Sequence, residues 1–532
     1  MVSSPDPRWW QSGIVYQVYP RSFQDSNGDG IGDLKGVIAR LDYLVWLGVD
    51  ALWLSPVYPS PMADFGYDVS NYVDIDPIFG SLKDFDRLVA EAQKRGLKVI
   101  MDYVPNHTSE AHPWFVESRG SVTSAKRDWY VWRDAAPGGG PPNNWLSEFG
   151  GSAWTWDDAT GQYYYHAYLP QQPDLNWRNP AVRAAMYDIL HFWFARGVDG
   201  FRIDTVHHLF EEPSLADNPA NPDFTPGMAP TLALDRRHQY DQPEVHDALK
   251  EMRAIADTYG ERVLIGEVYL PLDRIVTYYG ADLTGVHLPF NFHLIGAAWQ
   301  AKVLADLITR YEALLPDSAW PNWVLGNHDR ARVASRVGPK AARTAAMLLL
   351  TLRGTPTLYY GDEIGMTDGA IPPEKVQDPW EKRVPGFGFG RDPVRTPMAW
   401  TAEPGAGFTT GEPWLPLNDI ASRNVAAQQT QKSSLLALYR ALIATRRKEP
   451  ALSIGAYGKV EARGDVLVYE RHHGARRLAV ILNLADSAVY TPLEGAGAPL
   501  LSTYLDESHE SVGPLIRLRP HEGLIVEVSR EA

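Results

Sequence analysis

The chain has 532 residues, more than one ordinary domain, and 45% are apolar, which is enough for a large core. Its net charge of −15 (50 basic against 65 acidic) argues against nucleic-acid and anionic-membrane partners. The absence of cysteine excludes disulfides, thiolate catalysis and thiolate metal sites. The opening residues carry no apolar leader-like core, and no run of about 18 apolar residues follows, so a soluble cytoplasmic protein is expected.

Ile14 to Tyr19 reads as a first strand, closed by Pro20. Leu34, Val37, Ile38, Leu41, Leu44 and Leu47 keep helical spacing, and Gly48 stops that helix. Asp50 to Ser55 is a second strand, Leu82 to Arg95 a second helix and Leu97 to Asp102 a third strand. The rhythm then breaks: residues 104–173 show no helical period but clustered Gly, Pro, Trp and Tyr. A structureless loop of that length is improbable inside a compact unit, so a small inserted domain is expected there. Alternation resumes with a helix over 181–196 and the strand Val198 to Asp204. Further strands follow at Val263 to Glu267, more weakly at His287 to Phe292, then Asn322 to Leu325 and Thr355 to Tyr360. After a long Gly/Pro-rich connection (362–433) a helix over 434–448 closes the series, and period-2 strands from 451 onward predict an all-β C-terminal domain. The expected fold is α/β: a (β/α)8 TIM barrel formed by 1–103 and 174–450, with an insert at 104–173 and a β domain at 451–532.

The stretch Val198-Asp-Gly-Phe-Arg-Ile-Asp204 concentrates the chemistry. Strand alternation puts Arg202 and Asp204 on one face, where the guanidinium can hold the carboxylate ionised and oriented. A structural ion pair would explain one such segment. Here several strands end in polar groups, namely Asp102, Glu267, His328 and Asp329, and a barrel builds its active site on that rim. Two carboxylates flanking a glycosidic bond, one ionised and one protonated, are what glycoside hydrolysis needs. A zinc site using His107, His328 and these acids is the rival, but no HExxH-like spacing supports it. His112, His207 and His208 read as solvent or loop histidines.

Asp25-Ser-Asn-Gly-Asp-Gly-Ile-Gly-Asp33 matches the first half of a calcium loop, with Asp25, Asn27, Asp29, the Ile31 carbonyl and Asp33 as oxygen ligands for Ca2+ or Mg2+. The terminal glutamate of an EF-hand is missing, Gly36 standing in its place. The plainer reading is an Asp/Gly turn in which Asp33 caps the next helix.

Tyr16-Gln-Val-Tyr-Pro-Arg-Ser-Phe23, Asp102-Tyr-Val-Pro-Asn-His107, Gln172-Pro-Asp-Leu-Asn-Trp177, Gly200-Phe-Arg-Ile-Asp204, Gly266-Glu-Val268, Gly326-Asn-His-Asp329 and Arg395-Thr-Pro-Met398 occur in this order. Together they resemble glycoside hydrolase family 13, the α-amylase family, in its α-glucosidase and oligo-1,6-glucosidase branch, over essentially the whole chain. The resemblance implies a retaining α-glucosidase acting on short α-glucosides from the chain end, with water or another sugar accepting the glucosyl group. It implies Asp204 as nucleophile, Glu267 as general acid/base and Asp329 as transition-state stabiliser. It also implies that Tyr67, Asp68, His107, Arg202, His328 and Arg395 hold the first sugar, with Phe149 and Tyr168 as aromatic walls from the insert. Thr205, directly after the nucleophile, implies a preference for α-1,4 links, since a valine here goes with α-1,6 activity in that family. Rivals on the same machinery are an oligo-1,6-glucosidase, a transglucosylase, a sucrose hydrolase and a trehalose synthase. A non-catalytic sugar-binding relative should have lost the catalytic acids, and this sequence keeps them.

Overall fold

The computed structural model describes residues 7–493, 497–506 and 513–528. Its centre is an eight-stranded parallel sheet made of β1 (Val15–Val18), β2 (Ala51–Leu54), β3 (Lys98–Tyr103), β4 (Gly200–Ile203), β5 (Val263–Gly266), β6 (Leu288–Pro289), β7 (Asn322–Val324) and β8 (Thr355–Tyr359). The strand order is β7-β8-β1-β2-β3-β4-β5-β6, and a parallel bridge between Asn291 and Trp323 brings the two edges together. This is the expected TIM-type barrel. The weak sixth strand is only two residues long, because Pro289 removes a ladder donor and the chain turns at Phe292.

The strands are buried throughout, which is why they read as continuous apolar runs. The helices behind them follow their capping chemistry. Ser81 accepts from Asp84 N at the start of α3 (Leu82–Lys94), and Asn179 accepts from Ala181 N at the start of α4 (Pro180–Ala195). The single helix expected over 34–47 is two helices, α1 (Leu34–Ala39) and α2 (Leu41–Leu47). Arg40 between them leaves helical geometry at φ −105°, ψ 2°, yet the apolar stripe runs on across the break. Gly48 ends α2 at φ +103°, a conformation that favours glycine.

Residues 104–173 hold a short helix (Pro113–Arg119) and a three-stranded antiparallel sheet of Trp132–Arg133, Gln162–Tyr165 and Trp154–Asp157. The aromatic residues clustered in the sequence build its core: Trp145, Trp154 and Tyr165 pack together with Val131. Beyond the barrel, a five-stranded antiparallel sheet and a two-stranded ribbon occupy the C-terminal part. Arg446, on the helix Leu435–Lys448, donates to the carbonyls of Leu350, Leu352 and Leu452, tying the last barrel helices to the start of that part. None of the described helices is long and apolar enough to cross a membrane.

Candidate active site

The acids sit where strands stop. Asp204 follows the last residue of β4 and Glu267 the last residue of β5. Ile203 and Gly266 are paired in register, so the two carboxylates leave the barrel side by side. Asp102 lies near the end of β3, paired with Arg202, and Asp329 lies on the short loop after β7.

Arg202 is the hub beneath them. Its Nη1 donates to Asp102 Oδ1 and Asp204 Oδ1, both at 2.7 Å, and its Nη2 lies 2.7 Å from Glu267 Oε2. The guanidinium is 1% exposed, so its interactions are little screened by solvent. One cation cannot balance three buried anions, so at least one of these acids keeps a proton at neutral pH. Burial pushes Glu267 up to about 8; Arg202 opposes the rise, while Asp204 and Asp329 add to it. Burial also pushes Asp204 up, to about 7, again against Arg202. Both carboxyls are thus held above the ordinary range, and their mutual repulsion beside the one guanidinium favours one anion and one acid over two anions.

Asp329 goes the other way. Burial opposes its charge, but His328, Arg391 and Arg395 hold the carboxyl well below the ordinary range. Burial keeps His328 itself neutral around pH 7, so the arginines carry the effect there. Arg395 Nη2 donates to Asp329 Oδ1 at 2.8 Å, and Arg391 Nη1 approaches it at 3.5 Å. With Gln17 Nε2 donating to His328 Nδ1 at 2.7 Å, the imidazole proton falls on Nε2. That atom faces the Tyr67 hydroxyl at 2.6 Å and Asp329 Oδ2 at 3.3 Å.

The acids open into a pocket of roughly 220 Å³. Of the residues expected at the site, Tyr67, His107, Phe149, Tyr168, Asp204, Thr205, Glu267, His328 and Asp329 line it. Three others stand behind its wall. Arg202 is the hub already described, and Arg395 braces Asp329 and the His328 carbonyl from the rear. Asp68 turns away: its oxygens accept from the Ser60 hydroxyl (2.8 Å), Ala63 N (2.9 Å) and Asp64 N (2.9 Å), so it ties its own loop together. The wall acid from that loop is Asp64, which pairs with Arg391 at 2.5 Å, and Arg391 Nη2 also lies 2.7 Å from Asp378.

Sequence reasoning missed Asp64 and Arg391. Asp64 opens the same Asp-Phe-Gly-Tyr-Asp68 turn that ends at Asp68, so the turn was visible but the choice of acid was not. His207 and His208 are not solvent histidines; both are buried at 4% exposure and line the pocket, and burial lowers each to about 3. His112 is buried too, and its Nδ1 accepts from Trp114 N at the start of the Pro113–Arg119 helix.

In the candidate cation loop, Asp25 accepts from the backbone N–H groups of Asn27, Gly28 and Gly30 and from the Thr409 hydroxyl. Asp33 caps α1 by accepting from Gly36 N, as the plainer reading expected. The donor set is all oxygen, which suits a hard cation. The turn is nonetheless held by these internal bonds, and no group of three or more acidic or histidine side chains converges to hold an ion among the described residues.

The chain and its fold are matched by known proteins. The α-amylase catalytic-domain family matches residues 17–455. A probable α-glucosidase of Rhizobium meliloti (strain 1021) is 43% identical over 519 residues, covering 93% of this chain and 94% of that one. An oligo-1,6-glucosidase of Parageobacillus thermoglucosidasius is 39% identical, covering 98% and 99%. The crystal structure of the α-glucosyl transfer enzyme XgtA superposes with a TM-score of 0.94 at 40% identity, covering 98% of this chain and 100% of that one. The chain belongs to the α-amylase family of glycoside hydrolases. It is a glycoside hydrolase related to α-glucosidases and oligo-1,6-glucosidases.

Proposed function

We propose that the protein is a retaining α-glucosidase that removes single glucose units from short α-glucosides, with α-1,4 links preferred. The observation that carries this reading is the single buried guanidinium of Arg202 bonded to both Asp204 and Glu267, at the head of a small pocket. Asp204, in its ionised form, attacks the anomeric carbon as the C1–O bond breaks. Glu267 gives its proton to the departing oxygen, and a glucosyl ester forms on Asp204. Water, or a sugar hydroxyl, then returns a proton to Glu267 while its oxygen takes C1 from Asp204. Asp329, held ionised, stabilises the positive charge that develops on the ring.

The exo mode is supported by the end of the pocket, where the buried Asp64–Arg391 pair and the Phe149 ring, with the Arg391 guanidinium carbon 4.9 Å from its centre, close the wall. Tyr67, His107, Gln172 and Tyr168 complete the sugar-binding lining. The linkage preference rests on Thr205, and a bound Ca2+ or Mg2+ at 25–33 on the oxygen-only donor set. The test is product analysis on maltose, isomaltose, sucrose and trehalose, with NMR of the first anomer released. Release of β-glucose, or a dominant isomerised or fully transferred product, would replace this reading with an inverting, isomerising or transferring enzyme.

A further inference from the structure

Three side-chain hydroxyls grip three consecutive carbonyls on the segment that carries Arg395. Tyr359 Oη donates to the Val394 carbonyl at 3.0 Å, Ser22 Oγ to the Arg395 carbonyl at 2.5 Å and Tyr360 Oη to the Thr396 carbonyl at 2.7 Å. From Arg395 to Trp400 the chain is neither helix nor strand, so no regular ladder supplies partners for these carbonyls. The donors come from rigid elements instead. Tyr359 closes β8 and Tyr360 follows it, while Ser22 lies on the short helix Pro20–Phe23 after β1. The Ser22 carbonyl accepts from Met398 N at 2.8 Å in return. Ser22, Tyr359, Tyr360 and Arg395 are all fully buried.

The clamp holds a guanidinium in place. Arg395 Nε donates to the His328 carbonyl at 2.9 Å and its Nη2 to Asp329 Oδ1 at 2.8 Å, so one side chain fixes both the backbone and the carboxylate of the loop after β7. The far end of that loop is tied to the same two tyrosines. Arg332, three residues beyond Asp329, lies over both rings, 4.7 Å from the centre of Tyr359 and 4.8 Å from that of Tyr360. Its Nη1 also donates to the Tyr360 carbonyl at 2.7 Å. Ser22, Tyr359, Tyr360 and Arg332 all stand outside the lining of the catalytic pocket, so their effect on Asp329 passes through Arg395 and the loop.

We propose that Tyr359, Tyr360 and Ser22 are positioning residues for the carboxylate that stabilises the transition state. Their hydroxyls fix the backbone at 394–396, and so set the place of Arg395 and, with it, of Asp329 beside the sugar ring. The inference rests on the α-glucosidase reading, which makes Asp329 the stabiliser. Electrostatic stabilisation needs a charge already in place, because a carboxylate that must first move gives back part of the gain. In such a site a displacement of about 1 Å is enough to slow the reaction without unfolding the chain. Removing a buried donor leaves its carbonyl unpaired, and the segment then gains by shifting toward another partner.

Tyr359→Phe, Tyr360→Phe and Ser22→Ala each remove one hydroxyl, and the tyrosine variants keep the rings beneath Arg332. The measurements are kcat and KM on maltose, and inhibition by 1-deoxynojirimycin and by glucose. The protonated nitrogen of the first inhibitor mimics the charge of the transition state, and glucose carries none. In the double variant Tyr359→Phe/Tyr360→Phe, kcat should fall about tenfold or more, with KM changed by less than about threefold. Binding of 1-deoxynojirimycin should weaken about fivefold or more relative to glucose. A purely structural role would lower the unfolding midpoint but leave kcat and the inhibitor ratio of the folded variant at wild-type values, and that result overturns the proposal. If the double variant does not fold, the single variants and Ser22→Ala decide by the same two readouts. Asp329→Asn separates the clamp from the reading beneath it. Wild-type kcat and inhibitor ratio in that variant would overturn the stabiliser and the clamp together. Loss of both in Asp329→Asn, with neither changed in the hydroxyl variants, would overturn the clamp alone.

Discussion

Thr205 touches both central acids: its backbone N–H donates to Glu267 Oε2 at 2.8 Å, and its hydroxyl donates to Asp204 Oδ2 at 3.2 Å. The residue sits at φ +40°, ψ +41°, in the left-handed region, which a β-branched residue occupies only at a cost of about 1–3 kcal/mol. Asp204 N bonded to the Tyr103 carbonyl on one side and His208 N bonded to the Thr205 carbonyl on the other hold it there. The strained turn aims an amide donor at the acid, and so fixes the carboxyl of Glu267 in position beside Asp204.

Asp204→Asn removes the attacking charge with almost no change of shape, so turnover should be lost while the fold survives. Thermal unfolding and maltose hydrolysis read the two effects separately, and near-wild-type turnover would refute the nucleophile. Glu267→Gln should lose far less activity on aryl glucosides than on maltose, because a good leaving group needs little protonation. Equal losses on the two substrates would remove Glu267 from the acid role.

The two acids also set a pH profile. Activity needs Asp204 ionised, so it rises as pH climbs through the lower titration near 7. It needs Glu267 protonated, so it falls again through the upper titration near 8. The profile of kcat/KM should be a narrow bell whose limbs belong to the coupled pair. In Glu267→Gln, assayed on an aryl glucoside, the alkaline limb should disappear and the acid limb should remain. A variant that keeps its alkaline limb would assign that limb to another group.

How much of this was legible in the sequence depended on where each residue lies. The strands carrying Asp204 and Glu267 are buried on both faces, so their apolar runs and terminal charges stood out. The barrel order follows from that alternation. The short β6 was faint because its pairing is only two residues long. Arg391 lies in the Gly/Pro-rich connection 362–433, whose backbone has no period, and its partner Asp64 is more than three hundred residues away in the chain. Nothing local marks such a pair. His207 and His208 looked exposed because they follow a strand end, yet Tyr240, from the loop after them, packs against both rings.

Asp64 and Asp68 differ by which way they face, and that difference is testable. Asp64→Asn keeps the shape of the pocket wall but removes the buried charge beside the sugar and opposite Arg391. A lost charge-assisted contact of this kind should cost roughly tenfold to a hundredfold in kcat/KM. Asp68→Asn should act mainly on stability, since its carboxylate serves the 60–68 loop. If Asp68→Asn impairs kcat/KM with an unchanged unfolding midpoint and Asp64→Asn does not, the assignment of the two acids is reversed.

The loop 25–33 lies after β1, away from the bond-making steps, so a cation there would stabilise the folded chain without taking part in the reaction. Chelation should lower the unfolding midpoint of the wild type and leave activity at moderate temperature mostly unchanged. Asp29 is exposed and its carboxylate accepts within its own turn, from Asn27 Nδ2 and Ile31 N, so Asp29→Ala should abolish the response to chelator. Elemental analysis of the pure protein without calcium or magnesium would refute the site.

The linkage preference turns on one hydroxyl. Thr205 Oγ1 is held by Asp204, and the side chain also reaches the Tyr168 hydroxyl, at the point where the leaving sugar meets the acids. Valine at this position keeps the β-branch, the left-handed backbone and the amide donated to Glu267, and replaces only the hydroxyl, by a methyl group. The swap is therefore a test of hydrogen bonding at nearly constant volume. A single contact of this sort discriminates by roughly 1–3 kcal/mol, so Thr205→Val should shift the maltose-to-isomaltose ratio about tenfold or more toward isomaltose. The shift should appear in kcat/KM, with little change in the unfolding midpoint, because the strain at this position is the same for both residues. Faster cleavage of isomaltose than of maltose by the unmodified enzyme, at equal low concentration, would overturn the α-1,4 preference. If maltose is preferred and Thr205→Val leaves the ratio unchanged, the preference stands, and its cause moves to the loop from His207 to Pro219, whose first two residues line the pocket.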